Sequence, residues 1–514
     1  TRRAISIMNR LSPISRSIRI KAAKKRRSRL FRSTLASCLT ILCAHPAGAH
    51  GFGYRYDLPL PLYLYLFGSG TVVLVTFLAL VFWQTKNVDL AKYKFIHNIS
   101  PHFVFFFHKL VRPVVGTISL VIFLSLVSIG FFGNQNTLKN LLPVSVWVLW
   151  WVGFVYITAL CVNTWNILNP WTFCFLIVQR ILGKEIKFFT YPVWLGFWPS
   201  AFFLSMFLWI ELIWPHNQIP LSLAKLIIFY SLATWTGMII YGQKSWIKHA
   251  EAFSVLFSLL GRFAPLQFHQ GGKAFSLQPY GFGLLNRTRS PIGLVFIIII
   301  LLSGLNFDGF MATEPWNRIQ PYVLSINSLN PTFQILHKYF GNLQTVLETA
   351  GLLAFLFLFL MTYILVCSAT KIILDRSDPS GKSQISLQTI LEHFVITLLP
   401  IAIGYHVAHY LSYLLIAGQL SIPLLSDPYS LGWDLLGTND YRIHIGIINA
   451  RMAWHVTLAA IILGHVLSIF LSHVHSLALA PRKNRSLIQL PMVTLMVFYT
   501  GISLWILAQP IVED

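Results

Sequence analysis

The sequence predicts an all-α fold, a polytopic transmembrane helical bundle of about ten spans preceded by an N-terminal signal peptide. Three observations predict it. Hydrophobic residues make up 55% of the 514 and charged residues only 11%, against roughly 25% charged in an average soluble protein, so charge cannot cover the surface and lipid must be the main solvent. Apolar runs long enough to cross a bilayer recur along the chain. Lys and Arg gather in alternate connecting segments, as the positive-inside rule requires of a multi-pass protein.

Residues 1–49 read as a basic region and signal peptide. Lys24-Lys25-Arg26-Arg27 leads into an apolar run from Leu35 to Ala44 and then into the small residues Ala47-Gly48-Ala49. That run is too short to span roughly 30 Å of hydrocarbon as a helix, which favours an export signal over a first span. Cleavage after Ala49 would leave His50 as the mature N-terminus, and residues 50–514 read as a single transmembrane domain.

The spans are expected at about 59 to 84, 112 to 133, 143 to 167, 192 to 214, 220 to 242, 291 to 308, 346 to 372, 386 to 417, 452 to 478 and 488 to 510. Basic residues then fall in every second connection: Lys86 to Arg112, Arg180 to Lys187, Lys244 to Arg289, Lys371 to Lys382 and Arg482 to Arg485. These connections are expected on the cytoplasmic side, which places the protein in a bacterial inner membrane with both mature termini in the periplasm. The stretch Trp246 to Phe268 carries apolar residues at helical spacing and predicts a helix along the inner interface.

The formal charge of +23 sits in short clusters between apolar runs and near the N-terminus. Such clusters set topology and attract anionic headgroups, so the expected partners are the lipid bilayer and other membrane subunits. No basic stripe lies on a polar face, which excludes nucleic acid. Cys38, Cys43, Cys161, Cys174 and Cys367 are scattered without CxxC or zinc-type spacing. Nucleophile-elbow, P-loop, dinucleotide and HExxH patterns are missing from the sequence, so any enzymatic chemistry is expected to depend on a metal.

Ionisable groups inside spans carry the functional signal, because they are costly in hydrocarbon and tend to face a cavity, a partner or an ion. The eighth span holds His393, His406 and His409, and the ninth holds His455, His465, His473 and His475. His406 and His409 are three apart and share a helix face. Matching depth between the two antiparallel helices puts His406 level with His465 and His409 level with His455. The sixth span ends in Asn306-Phe307-Asp308-Gly309, bringing a carboxylate to the same outer level. Asp308, His406, His409, His455 and His465 are therefore the candidate metal ligands, with Glu314 and Glu348 supporting them, and Asp308, His406 and His465 are the candidate catalytic residues. Imidazole donors suit copper or zinc. Two alternatives remain open: a b-type haem clamped axially by His406 and His465, with Gly404 and Gly464 making room, and isolated interhelical hydrogen bonding. His50 offers a separate copper site, since a terminal amine and its own imidazole can chelate one ion in an arrangement resembling a histidine brace.

Further residues carry a resemblance: HGFGYRYDLPLP from His50; Asn169-Pro170-Trp171; Tyr191-Pro192; Trp198-Pro199; Glu251-Ala252-Phe253; Phe307-Asp308-Gly309; His409-Tyr410; Ser426-Asp427-Pro428; Gly464-His465-Val466; and Gln489-Leu490-Pro491-Met492. Over nearly the whole chain beyond residue 49, the sequence resembles a family of bacterial integral membrane proteins labelled fenitrothion hydrolase. The resemblance implies hydrolysis of an organophosphorus triester at the bond to a phenol, and it brings no assignment of residue roles. His473 departs from the pattern, being followed by Val474-His475 where an acidic residue is usual. The leading expectation is thus a metal-dependent hydrolase with its site near the periplasmic face. The alternatives are a copper-handling or haem-bearing electron-transfer subunit, and a small-solute transporter.

Overall fold

In the computed structural model, residues 61–82, 95–98, 100, 102, 106–269, 274–285, 290–326, 334–336, 338, 342–377, 385–479 and 485–509 are described. They belong to one compact unit, Asp57–Asp514. The expected signal peptide, His50 and the first and last residues of the chain lie outside the described residues.

An apolar helix satisfies its own backbone hydrogen bonds and can therefore live in lipid. Ten described helices are long and apolar enough to cross a membrane: α1 (Leu62–Phe82), α2 (Lys109–Phe132), α3 (Leu141–Leu160), α5 (Val193–Leu212), α6 (Pro220–Tyr241), α8 (Ile292–Met311), α9 (Leu343–Arg376), α10 (Leu387–Ser426), α11 (Ala450–Leu477) and α12 (Ser486–Leu507). Two shorter apolar helices, α4 (Pro170–Leu182) and α7 (Ala252–Gly261), complete the bundle. The spans match their expected positions within a few residues, except that α3 ends at Leu160, short of the expected 167, and α10 continues through Gly418 to Ser426.

The two most central helices are buried on nearly every side over much of their length. α8 is buried on almost all faces from Gly293 to Phe307, and α10 is buried continuously from Leu399 to His406. α9 instead leaves Leu353, Phe357, Leu358 and Leu365 exposed, the surface a lipid-facing helix presents.

α10 and α11 pack backbone to backbone. A Cβ on Gly404 would meet the Ala460 carbonyl oxygen at 2.5 Å, and one on Gly464 would meet the Pro400 carbonyl oxygen at 2.7 Å. Only glycine permits that approach. α10 tightens to a 3-10 turn at Val395–Leu398, where the Thr397 carbonyl would seek the N–H three residues on, but that residue is Pro400. The Ser468 hydroxyl of α11 donates to this orphaned carbonyl instead.

One expectation is corrected. The Trp246–Phe268 stretch does not lie along an interface as one helix. It breaks after Gln243–His249, and α7 is buried through most of its length, because Phe253 and Phe257 insert among Trp150, Phe154, Trp165 and Phe207. The all-α bundle is as expected, and beside it β1 (Phe95–Asn98), β2 (Leu266–His269) and β3 (Ala274–Leu277) form a small antiparallel sheet in the order β1-β3-β2. Polar connections outside the spans have no lipid to force helix upon them, so strand pairing is open to them.

The N-termini of α4 and α7 meet inside the bundle. Asn169 caps α4 by accepting from Thr172 N, and Glu251 caps α7 by accepting from Phe253 N and Ser254 N. Tyr230 Oη donates to Glu251 Oε1 at 2.6 Å, and Asn169 Nδ2 donates to Oε2 at 3.3 Å. Glu251 is almost fully buried, and this set of donors is what makes a carboxylate tolerable there.

Candidate functional site

Helix spacing builds the site. Tyr405, His406, His409, Tyr410 and Tyr413 recur along one side of α10 at intervals of three and four with their immediate neighbours. Asp308 comes from the last turn of α8, and Gly309 lets α8 approach closely there, since a Cβ would strike Tyr405 Oη and Ile506. Glu211 comes from the last turn of α5. Trp151 comes from α3, which widens into a π-helix over Val144–Gly153, the kind of distortion that recurs at functional sites.

These elements bring Asp308 and His409 into direct contact. His409 Nε2 lies 2.9 Å from Asp308 Oδ2, and the two side chains keep 20% and 23% of their surface exposed. An ionised carboxylate can only accept, so Nε2 is the donor in this contact. Tyr410 Oη donates to the same Oδ2 at 2.7 Å and lies 3.4 Å from Glu211 Oε1. The two carboxylates thus share one phenol. Glu211 Oε2 and the Trp151 indole N–H are near enough to interact, yet both are buried without a hydrogen-bond partner among the described residues.

His406 stands one turn further in, its ring against Tyr410 at 4.8 Å, Tyr156 at 5.8 Å and Trp151 at 5.9 Å. Its Nε2 is buried and unpartnered among the described residues. It remains within electrostatic reach of Asp308 and His409.

The rest of the expected set is not gathered here. His455 is exposed and bonds through Nδ1 to the Arg451 carbonyl of its own helix at 2.7 Å. His465 is fully buried against Tyr499, with ring centroids 5.7 Å apart, and bonds through Nδ1 to the Ile461 carbonyl. The depth matching explains this: Thr457 Oγ1 reaches the Ala408 carbonyl while Ser468 reaches that of Thr397. His465 therefore sits near the level of Pro400, deeper than His406. Glu314 pairs with exposed Arg318, and Glu348 accepts from Gln344. Among the described residues no three His, Cys, Asp or Glu side chains are placed to hold one ion. The room expected for a macrocycle between Gly404 and Gly464 is filled by direct helix contact, and His406 and His465 face different neighbours.

The chain matches no family model, no curated protein and no solved structure.

Sequence reasoning missed Glu211 and the bridging role of Tyr410. Glu211 had a legible signal, being the lone carboxylate inside its apolar span. Tyr410 and Trp151 had none, because aromatic residues in a membrane helix are ordinary.

An apolar cavity of about 560 Å³ lies beside Phe207, one ring away from Trp151. Trp147, Trp150 and Phe207 line it, and its mouth is edged by the exposed residues Ile118, Ile122 and Leu149. Trp151 packs on Phe207 at 4.7 Å and on His406 at 5.9 Å, so the rings of Phe207 and Trp151 link the cavity lining to the polar cluster.

Proposed function

We propose that this chain is a membrane-embedded hydrolase acting on apolar phosphotriesters, with His409 as the general base and Asp308 as the group that orients it. The hydrogen bond between them carries the reading, because a carboxylate holding one imidazole nitrogen fixes the tautomer that leaves the other basic. In this scheme His409 Nδ1 takes a proton from water as its oxygen bonds to phosphorus. The bond from phosphorus to the phenolic oxygen breaks, and the aryloxide leaves with that electron pair. Tyr410 steadies Asp308, and Glu211 completes the polar wall.

The substrate class follows from two supports. The likeness to proteins labelled fenitrothion hydrolase suggests a phosphorus triester, and the neighbouring cavity suits an apolar substituent entering from lipid. The distribution of Lys and Arg supports a bacterial inner-membrane location with this end of the bundle facing the periplasm.

The test is release of 4-nitrophenolate from a dialkyl 4-nitrophenyl phosphate by the purified protein in nanodiscs, alongside metal analysis of the same sample. The expected result is turnover that His409→Gln reduces by about 10²–10⁴-fold, the usual worth of a positioned base. No turnover by the wild-type protein across a series of aryl triesters would reject the reading.

A further inference from the structure

A second set of polar groups continues inward from Asp308 and goes beyond the hydrolytic reading. Tyr405 lies within electrostatic reach of both Asp308 and Tyr499. Tyr499 Oη is hydrogen-bonded to Asn306 Nδ2, and its ring faces His465. Thr457, His465, Ser468, Ser472 and His475 then follow one face of α11 at intervals averaging close to the helical repeat. From Thr457 to His475 that face rises about 27 Å, close to the thickness of the hydrocarbon core. At the far end His393 Nε2 meets the His475 carbonyl at 3.1 Å, with the two rings 4.9 Å apart.

A purely structural seam would pair its polar atoms. Several here are paired across helices, as Thr457 and Ser468 are with α10 carbonyls. Yet Tyr405 Oη, Asn306 Oδ1, His465 Nε2, Ser472 Oγ and Ser503 Oγ are buried without a partner among the described residues, and their residues are at most 1% exposed. They come from α8, α10, α11 and α12, and four of the five surround or adjoin Tyr499. Unpaired polar atoms in an apolar interior are costly, and groups able both to give and to take a hydrogen bond are the ones a proton can hop between.

We propose that this string conducts protons between the two ends of the bundle, with water bridging its open hydrogen-bonding positions. Each hydroxyl or imidazole would accept a proton on one side and release one on the other, so no group is consumed and no oxidant or reductant is required. The intramembrane histidine fits this role, since proton relays are among the functions that keep such residues in spans.

The test is proton entry into liposomes carrying the full chain and a trapped pH-sensitive dye, driven by a potassium diffusion potential. The wild-type protein is expected to admit protons faster than protein-free liposomes. His465→Leu, Tyr499→Phe and Ser472→Ala should each bring entry down toward the protein-free level, while Thr349→Val, off the string and paired with Trp209, should not. Tyr499→Phe and Ser472→Ala remove one oxygen with little change in volume, so they decide the matter should His465→Leu fail to fold. Wild-type entry at the protein-free level, or full entry in the two conservative variants, would overturn the proposal.

Discussion

His409 and Asp308 are hydrogen-bonded at 2.9 Å across two different spans, and both remain about one-fifth exposed. A contact serving packing alone would be sealed from water. This one sits beneath an accessible edge, with Tyr410 on the same carboxylate oxygen and Glu211 behind it. The arrangement resembles an acid–base pair more than an interhelical tie.

If Tyr410 only steadies Asp308, Tyr410→Phe should lower kcat by about tenfold or less, well short of the loss expected for the base itself. Steady-state kinetics in nanodiscs would read this, with KM little changed.

Gly464→Val should destabilise the bundle by roughly 1–3 kcal/mol, the usual cost of overpacking, because even a Cβ would meet the Pro400 carbonyl oxygen at 2.7 Å. A lowered thermal midpoint in detergent would show it. An unchanged midpoint would mean that α10 and α11 do not pack through these glycines.

Glu251→Ala removes the α7 cap and strands the Tyr230 hydroxyl donor and two backbone N–H groups, while Asn169 Nδ2 keeps Ser254 Oγ as its acceptor. Loss of a cap costs about 0.5–2 kcal/mol and stranded buried donors add to it, so the loss should exceed that of Gly464→Val. Chemical unfolding would measure the order.

Outside the spans, His249 stacks on Tyr191 at 5.3 Å. Partial burial holds its pKa below the usual histidine value of 6.5, and neighbouring Lys248 pushes the same way. The unfolded chain therefore binds more protons than the folded one as pH falls below 6.5, and stability contributed by neutral His249 is present above that pH and lost as pH falls through the folded value. His249→Gln should flatten this part of the stability profile. An identical slope in the variant would show that the titration arises elsewhere.

The spans were legible because hydropathy and length are one-dimensional signals, and α8, α10 and α11 appear where the apolar runs place them. Asp308 and His409 were legible for the same reason, as costly groups at one depth. His465 was misjudged because depth was counted by residue number, whereas contacts such as Ser468 to Thr397 set the true register. His455 shared the expected depth but turned to its own helix, and rotation about the helix axis cannot be read from depth. The burial of α7 was invisible because its apolar pattern serves an interface and an interior equally well.

The most direct test of the central claim is a double-mutant cycle on kcat/KM with Asp308→Asn, His409→Gln and the pair together. Residues acting as one unit give strongly non-additive losses, so the double variant should be scarcely slower than His409→Gln alone. Losses that simply multiply would mean that the two side chains act independently, and the proposed base would lose its orienting partner.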